Sequence, residues 1–106
     1  MTLKTSELTG AALDWAVWAC EKPNDVRPYS TDWTHGGPII EREAISIAAD
    51  TAGMFDTFVW FASVDDILVD AEDAIGVRGP TPLIAAMRCY VASKLGDEVD
   101  VPPALS

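Results

Sequence analysis

The chain has 106 residues, 17 Asp and Glu against 7 Lys and Arg, a formal net charge of −10, 49% apolar residues and four tryptophans. That length sets one domain, residues 1–106, and the apolar fraction excludes intrinsic disorder, because enough surface can be buried to offset chain entropy. The acidic excess argues against direct nucleic-acid binding, which rests on Lys and Arg displacing counterions, and against anionic membranes.

The N-terminal ten residues hold one Lys and no long apolar run, so they do not read as a secretory signal. The longest apolar stretches, Ala11–Cys20 and Leu83–Ala92, fall short of the roughly 20 residues a spanning helix needs. A soluble, cytosolic protein is the expectation. Cys20 and Cys89 lie far apart, with His35 as the one possible nitrogen partner, which predicts two buried free thiols and no metal.

In chain order, Leu8–Cys20 reads as a first helix with Thr9 as N-cap and Leu8 stapling onto Leu13. Its apolar arc is wide, interrupted by Asp14, and Pro23 ends it. From Pro23 to Pro38 the Pro, Asn, Asp, Ser, Thr and Gly content predicts a long ordered loop holding Tyr29, Trp33 and His35. Ala44–Ala48 predicts a short strand, Asp50–Gly53 a turn, and Phe55–Ala62 a central strand with aromatic residues on both faces. Ser63–Gly76 fits a helix or a strand equally, and Ala74–Arg78 is extended in either case. Thr81 as N-cap with Pro82 at the first helical position opens the clearest helix, Leu83–Leu95, whose stripe is Ile84, Met87, Val91 and Leu95 and whose stop is Gly96. Asp97–Ser106 reads as a short extended arm or a disordered end. Together these predict an α+β fold, a small antiparallel β-sheet packed against an N-terminal and a C-terminal helix. The wide apolar faces make a homodimer a fair expectation.

Candidate chemistry is sparse. His35 has no Ser or Cys nucleophile at a recognised spacing, so a catalytic role competes with an ordinary hydrogen-bonding one. The acids Asp65, Asp66, Asp70, Glu72 and Asp73 lack the pattern of a calcium loop and read as a solvated face. Two features stand out. Arg78-Gly79-Pro80-Thr81-Pro82 combines a cation, a hydroxyl and a helix N-terminus, suited to a phosphate or carboxylate, although Pro80 and Pro82 cannot donate and plain N-capping is the simpler reading. Tyr29, Trp33 and His35 offer flat rings that could stack on a base or a partner side chain, unless Trp33 plugs the sheet edge. Convergence of Arg42, Arg78 and Trp33 would make a nucleotide pocket. The candidate ligand-binding set is therefore Tyr29, Trp33, His35, Arg42, Arg78 and Thr81, with no cofactor.

Three blocks, LTGAALDWAV (Leu8–Val17), YSTDWTHGGPIIEREAISI (Tyr29–Ile47) and GPTPLIAAMRCYVASKLGDEVDV (Gly79–Val101), resemble the small NinX-like family of phage and prophage proteins. The resemblance implies a phage origin and supplies no catalytic residues. The reading it favours is a non-enzymatic accessory protein that binds a host protein or a small anionic, nucleotide-like ligand, with counter-defence as one purpose. Two alternatives stand beside it. One is an acidic DNA mimic that inhibits a host nucleic-acid enzyme, since residues 41–80 hold nine acids and two bases. The other is a small enzyme using His35 or the Arg78–Thr81 segment.

Overall fold

A computed structural model describes residues 2–50, 59–63 and 76–103 of the chain. Strand β1 (Thr2–Lys4) runs into a single 3-10 turn (Thr5–Glu7) and then helix α1 (Gly10–Glu21). Helix α2 (Trp33–Glu43), strands β2 (Ser46–Asp50), β3 (Val59–Ser63) and β4 (Gly76–Gly79), helix α3 (Pro82–Leu95) and strand β5 (Glu98–Asp100) follow. β2, β3 and β4 form an antiparallel sheet in that order, and β1 pairs with β5 in a separate antiparallel ribbon. The α+β expectation holds, with β3 in the middle of its sheet as predicted. Asp50 ends β2, Ser63 ends β3 and Gly76 opens β4; the rest of the turn expected at 50–53, the first half of the 55–62 strand and the remainder of the 63–76 stretch, residues 74–75 included, lie outside the described residues.

α3 is the centre of the molecule. It lies directly on the three-stranded sheet, and α1 and α2 pack against it, so the N-terminal helix joins the sheet largely through α3. This explains why α3 has no single apolar stripe: Met87 and Val91 are buried as expected, but so are Leu83, Ala85, Ala86, Arg88, Cys89 and Tyr90 around the whole circumference, while Leu95 is 43% exposed. A helix with neighbours on every side is buried on every side. Thr81 caps it as predicted, its hydroxyl accepting from the Ile84 amide at 3.1 Å.

Several expectations are corrected. The 23–38 loop ends early, because α2 begins at Trp33: Asp32 is its N-cap, accepting from the Thr34 amide at 2.9 Å. Pro38 sits inside this helix and denies the Thr34 carbonyl its helical donor. The strand expected at 44–48 starts two residues later, since Ala44 takes a left-handed conformation (φ 53°) that closes α2 with its amide on Glu41 and Ile40. Thr9 stands at the N-cap of α1, but its side chain makes no cap bond; Gly10, at φ 54°, turns the chain instead. Of the two alternatives for the C-terminal segment the extended one holds for its described residues, since β5 pairs with β1 and Val99 and Val101 are buried. Both cysteines are free as expected, with Cys89 buried and Cys20 partly so. Among the described residues no helix is long and apolar enough to cross a membrane.

Candidate functional site

A large cavity, about 690 Å³, opens between the N-terminal 3-10 turn and the β4 side of the sheet. Lys4, Thr5 and Ser6 line one wall, Phe61, Val77, Arg78, Gly79 and Pro80 another, and Arg88, Ala92, Asp97 and Glu98 the rest. Three of the chain's seven Lys and Arg therefore line one cavity, in a protein of net charge −10.

Arg88 is its most unusual member. Placed in the middle of the central helix, it is only 8% exposed. Its Nε donates to the Leu8 carbonyl at 2.7 Å and an Nη to the Arg78 carbonyl at 2.8 Å, so the guanidinium ties the start of α1 to β4. Among the described residues no carboxylate forms an ion pair with it. Burial lowers its pKa and nearby Glu7 raises it, yet an arginine stays charged. A guanidinium has five N–H groups, and the bonds to these two neutral carbonyls use two of them. In the sequence Arg88 is only the interruption of an apolar run. The signal that could have found it is that same isolation, one guanidinium in a ten-residue apolar window that must be buried.

The six residues singled out in the sequence divide among different places. Arg78 lines the large cavity. Trp33 and Thr81 come together in a second, smaller cavity of about 260 Å³ between the starts of α2 and α3, with Ser30, Thr31, Pro82, Leu83 and Ile84. Trp33 is 52% exposed there and does not plug the sheet edge. The Ser30 hydroxyl, buried, has no hydrogen-bond partner among the described residues, although its amide donates to Asp14 at 2.8 Å. Tyr29 and His35 meet edge to face at 6.4 Å, with Tyr29 buried and its pKa raised chiefly by that burial. His35 faces Asp32 at 3.9 Å.

Arg42 lies elsewhere, in the last turn of α2, and its fork is fully engaged. Its two Nη atoms grip the Glu21 carboxylate at 2.9 and 2.6 Å, and its Nε donates to Glu43 at 2.9 Å. The Tyr90 hydroxyl donates to Glu21 as well, and Lys94 reaches Glu43 at 3.2 Å. This network joins the C-terminal ends of all three helices. Hydrogen bonding from Arg42 holds Glu21 below the ordinary carboxylate value of 4.5, and Arg42 with Lys94 lowers Glu43. In the unfolded chain both carboxyls take up protons at higher pH than in the fold. The network's contribution to stability is therefore complete above about pH 5 and is lost as pH falls through the folded values. Urea titrations at pH 7 and pH 3.5 check this: the wild type loses an increment of about 1 kcal/mol in that window that Arg42→Met lacks at both, a small value because the pair is half-exposed.

With the geometry established, the sequence of residues 18–94 matches the family model described as Bacteriophage P22, NinX. The chain belongs to the NinX family. No curated protein matches it. Membership makes the chain a phage accessory protein. The NinX match runs from the end of α1 to the last turn of α3 and so takes in Phe61, Arg78 and Arg88; the Lys4–Ser6 wall and Asp97 and Glu98 lie outside it. It also contains the 29–47 block and most of the 79–101 block, but not the 8–17 block.

Proposed function

We propose that this phage accessory protein acts by binding a small anionic ligand in the large cavity, without catalysing its conversion. The observation that carries the reading is Arg88, a buried guanidinium without an ion-pair partner among the described residues, opening on a cavity shared with Arg78 and Lys4. A cation in a partly desolvated wall attracts an anion far more strongly than one on open surface. The hydroxyls of Thr5 and Ser6 line the same wall; Thr5 already donates to the Gly96 carbonyl at 2.6 Å. His35, the one residue considered for acid–base work, does not line this cavity. The acids that motivated a DNA mimic lie mostly outside the described residues, so the described structure lends that alternative no support.

The test is thermal denaturation against inorganic phosphate, small carboxylates and nucleoside monophosphates at millimolar concentration. A ligand at a hundred times its Kd stabilises by about 2.7 kcal/mol, a shift that is easily read. Arg78→Gln and Lys4→Gln each lower the affinity by tenfold or more. A protein whose melting temperature moves with none of these anions does not bind through this cavity, and capture of a host protein becomes the better reading.

A further inference from the structure

We infer that the cavity takes a mononucleotide whose base carries an exocyclic amino group, a reading that rests on the anion site proposed above. The lining residues separate into three kinds. Arg78, Arg88 and Lys4 place three positive charges along the cavity wall. Phe61 supplies a flat apolar surface: it is 37% exposed and stands directly across from Arg78 in the β3–β4 register. Neighbouring strands are about 5 Å apart, so the Arg78 and Phe61 side chains leave the sheet side by side on one face. Stacking on an aromatic side chain is available to every base. A cavity of about 690 Å³ lies within the range that small-molecule sites occupy.

The third kind narrows the ligand. Asp97 and Glu98 add two acidic residues to the lining of the same cavity. Glu98 stands opposite Lys4 in the β1–β5 register, so these two opposite charges face each other across the ribbon. Asp97 precedes the ribbon; its backbone carbonyl accepts from the Thr5 amide, which fixes its place at the cavity wall. A carboxylate there repels phosphate and accepts only hydrogen-bond donors. The N4 amino group of cytosine and the N6 amino group of adenine are such donors, whereas uracil and hypoxanthine present a carbonyl oxygen at the same position and meet the carboxylate acceptor to acceptor. Because Asp97 is exposed to water, the discrimination is modest, about tenfold, rather than the far larger ratios of fully buried hydrogen-bonding sites.

Isothermal titration of the intact protein with two nearly isosteric pairs, CMP against UMP and AMP against IMP, tests the assignment, with inorganic phosphate and glutamate as further probes. The expected result is that CMP exceeds UMP and AMP exceeds IMP by about tenfold. Asp97→Asn, whose amide both donates and accepts, levels each pair at unchanged melting temperature. Phe61→Leu weakens all four nucleotides and leaves phosphate untouched. Equal affinities within each pair, or phosphate or glutamate binding as tightly as CMP, would overturn the amino-base assignment while keeping the anion site. Binding by none of the probes overturns both.

Discussion

Replacing Arg88 with methionine is expected to lower the free energy of unfolding by about 2–4 kcal/mol. Methionine matches the length and apolar character of the stem, so little cavity is created. The loss comes from the Leu8 and Arg78 carbonyls, which surrender their donors in a water-poor place, each at about 1–3 kcal/mol. Relief of the buried charge offsets part of this. Arg88→Lys separates the two contributions, since it keeps the charge but offers a single point donor that cannot reach both carbonyls. Urea denaturation at constant m-value measures the difference. A methionine variant as stable as the wild type would mean that the guanidinium is not the tie between α1 and β4.

Gly36→Ala and Gly79→Ala each destabilise by about 2–3 kcal/mol, whereas Gly37→Ala, one residue away from the first, changes stability by less than about 1 kcal/mol, because its gain in helix propensity is opposed by the crowding of a Cβ against the ring of Pro38, which follows it. Helix propensity alone favours alanine at both 36 and 37. At Gly36, however, a Cβ would stand 2.5 Å from the Tyr29 carbonyl oxygen and 2.6 Å from Leu83 Cδ1. The Tyr29 backbone cannot retreat easily, because its amide is bonded to the Arg27 carbonyl and the next amide to Asp14. At Gly79 the Cβ would meet the Ala85 amide nitrogen at 2.7 Å and its Cα at 2.9 Å, backbone atoms of the central helix. At Gly37 the nearest atom apart from its chain neighbours is Trp33 Cε3 at 3.9 Å, an ordinary contact. Thermal melts of the three variants read the contrast. A Gly36→Ala protein as stable as the wild type would show that α2 does not seat so closely.

These glycines also explain why α2 was hidden in the sequence. Gly36-Gly37-Pro38 reads as a loop by every local propensity, and only Asp32 signals a helix start. The helix exists because a glycine lets its backbone touch Tyr29 and Leu83, a tertiary reward that local patterning does not contain. α3 and β3 were legible because cap, stop and β-rich residues sit within the segments themselves. β1 and β5 were not, being three residues each with nothing periodic to read. The site follows the same division. Arg78 was visible as a cation beside a helix start, and Trp33 and Thr81 do converge, on a different cavity. Arg88 drew no attention because its role depends on which two carbonyls the fold carries to it.

The β1–β5 ribbon sets an order of events. Thr2 pairs with Asp100, so almost the whole chain separates the two halves of the ribbon. Closing so long a loop is slow and cannot begin before the final strand has left the ribosome. The helices and the three-stranded sheet can assemble earlier, but the wall made by Lys4, Thr5 and Ser6 meets Asp97 and Glu98 only when the ribbon forms. The large cavity is thus the last part of the molecule to be completed, and a nascent chain carries Arg88 without the enclosure around it.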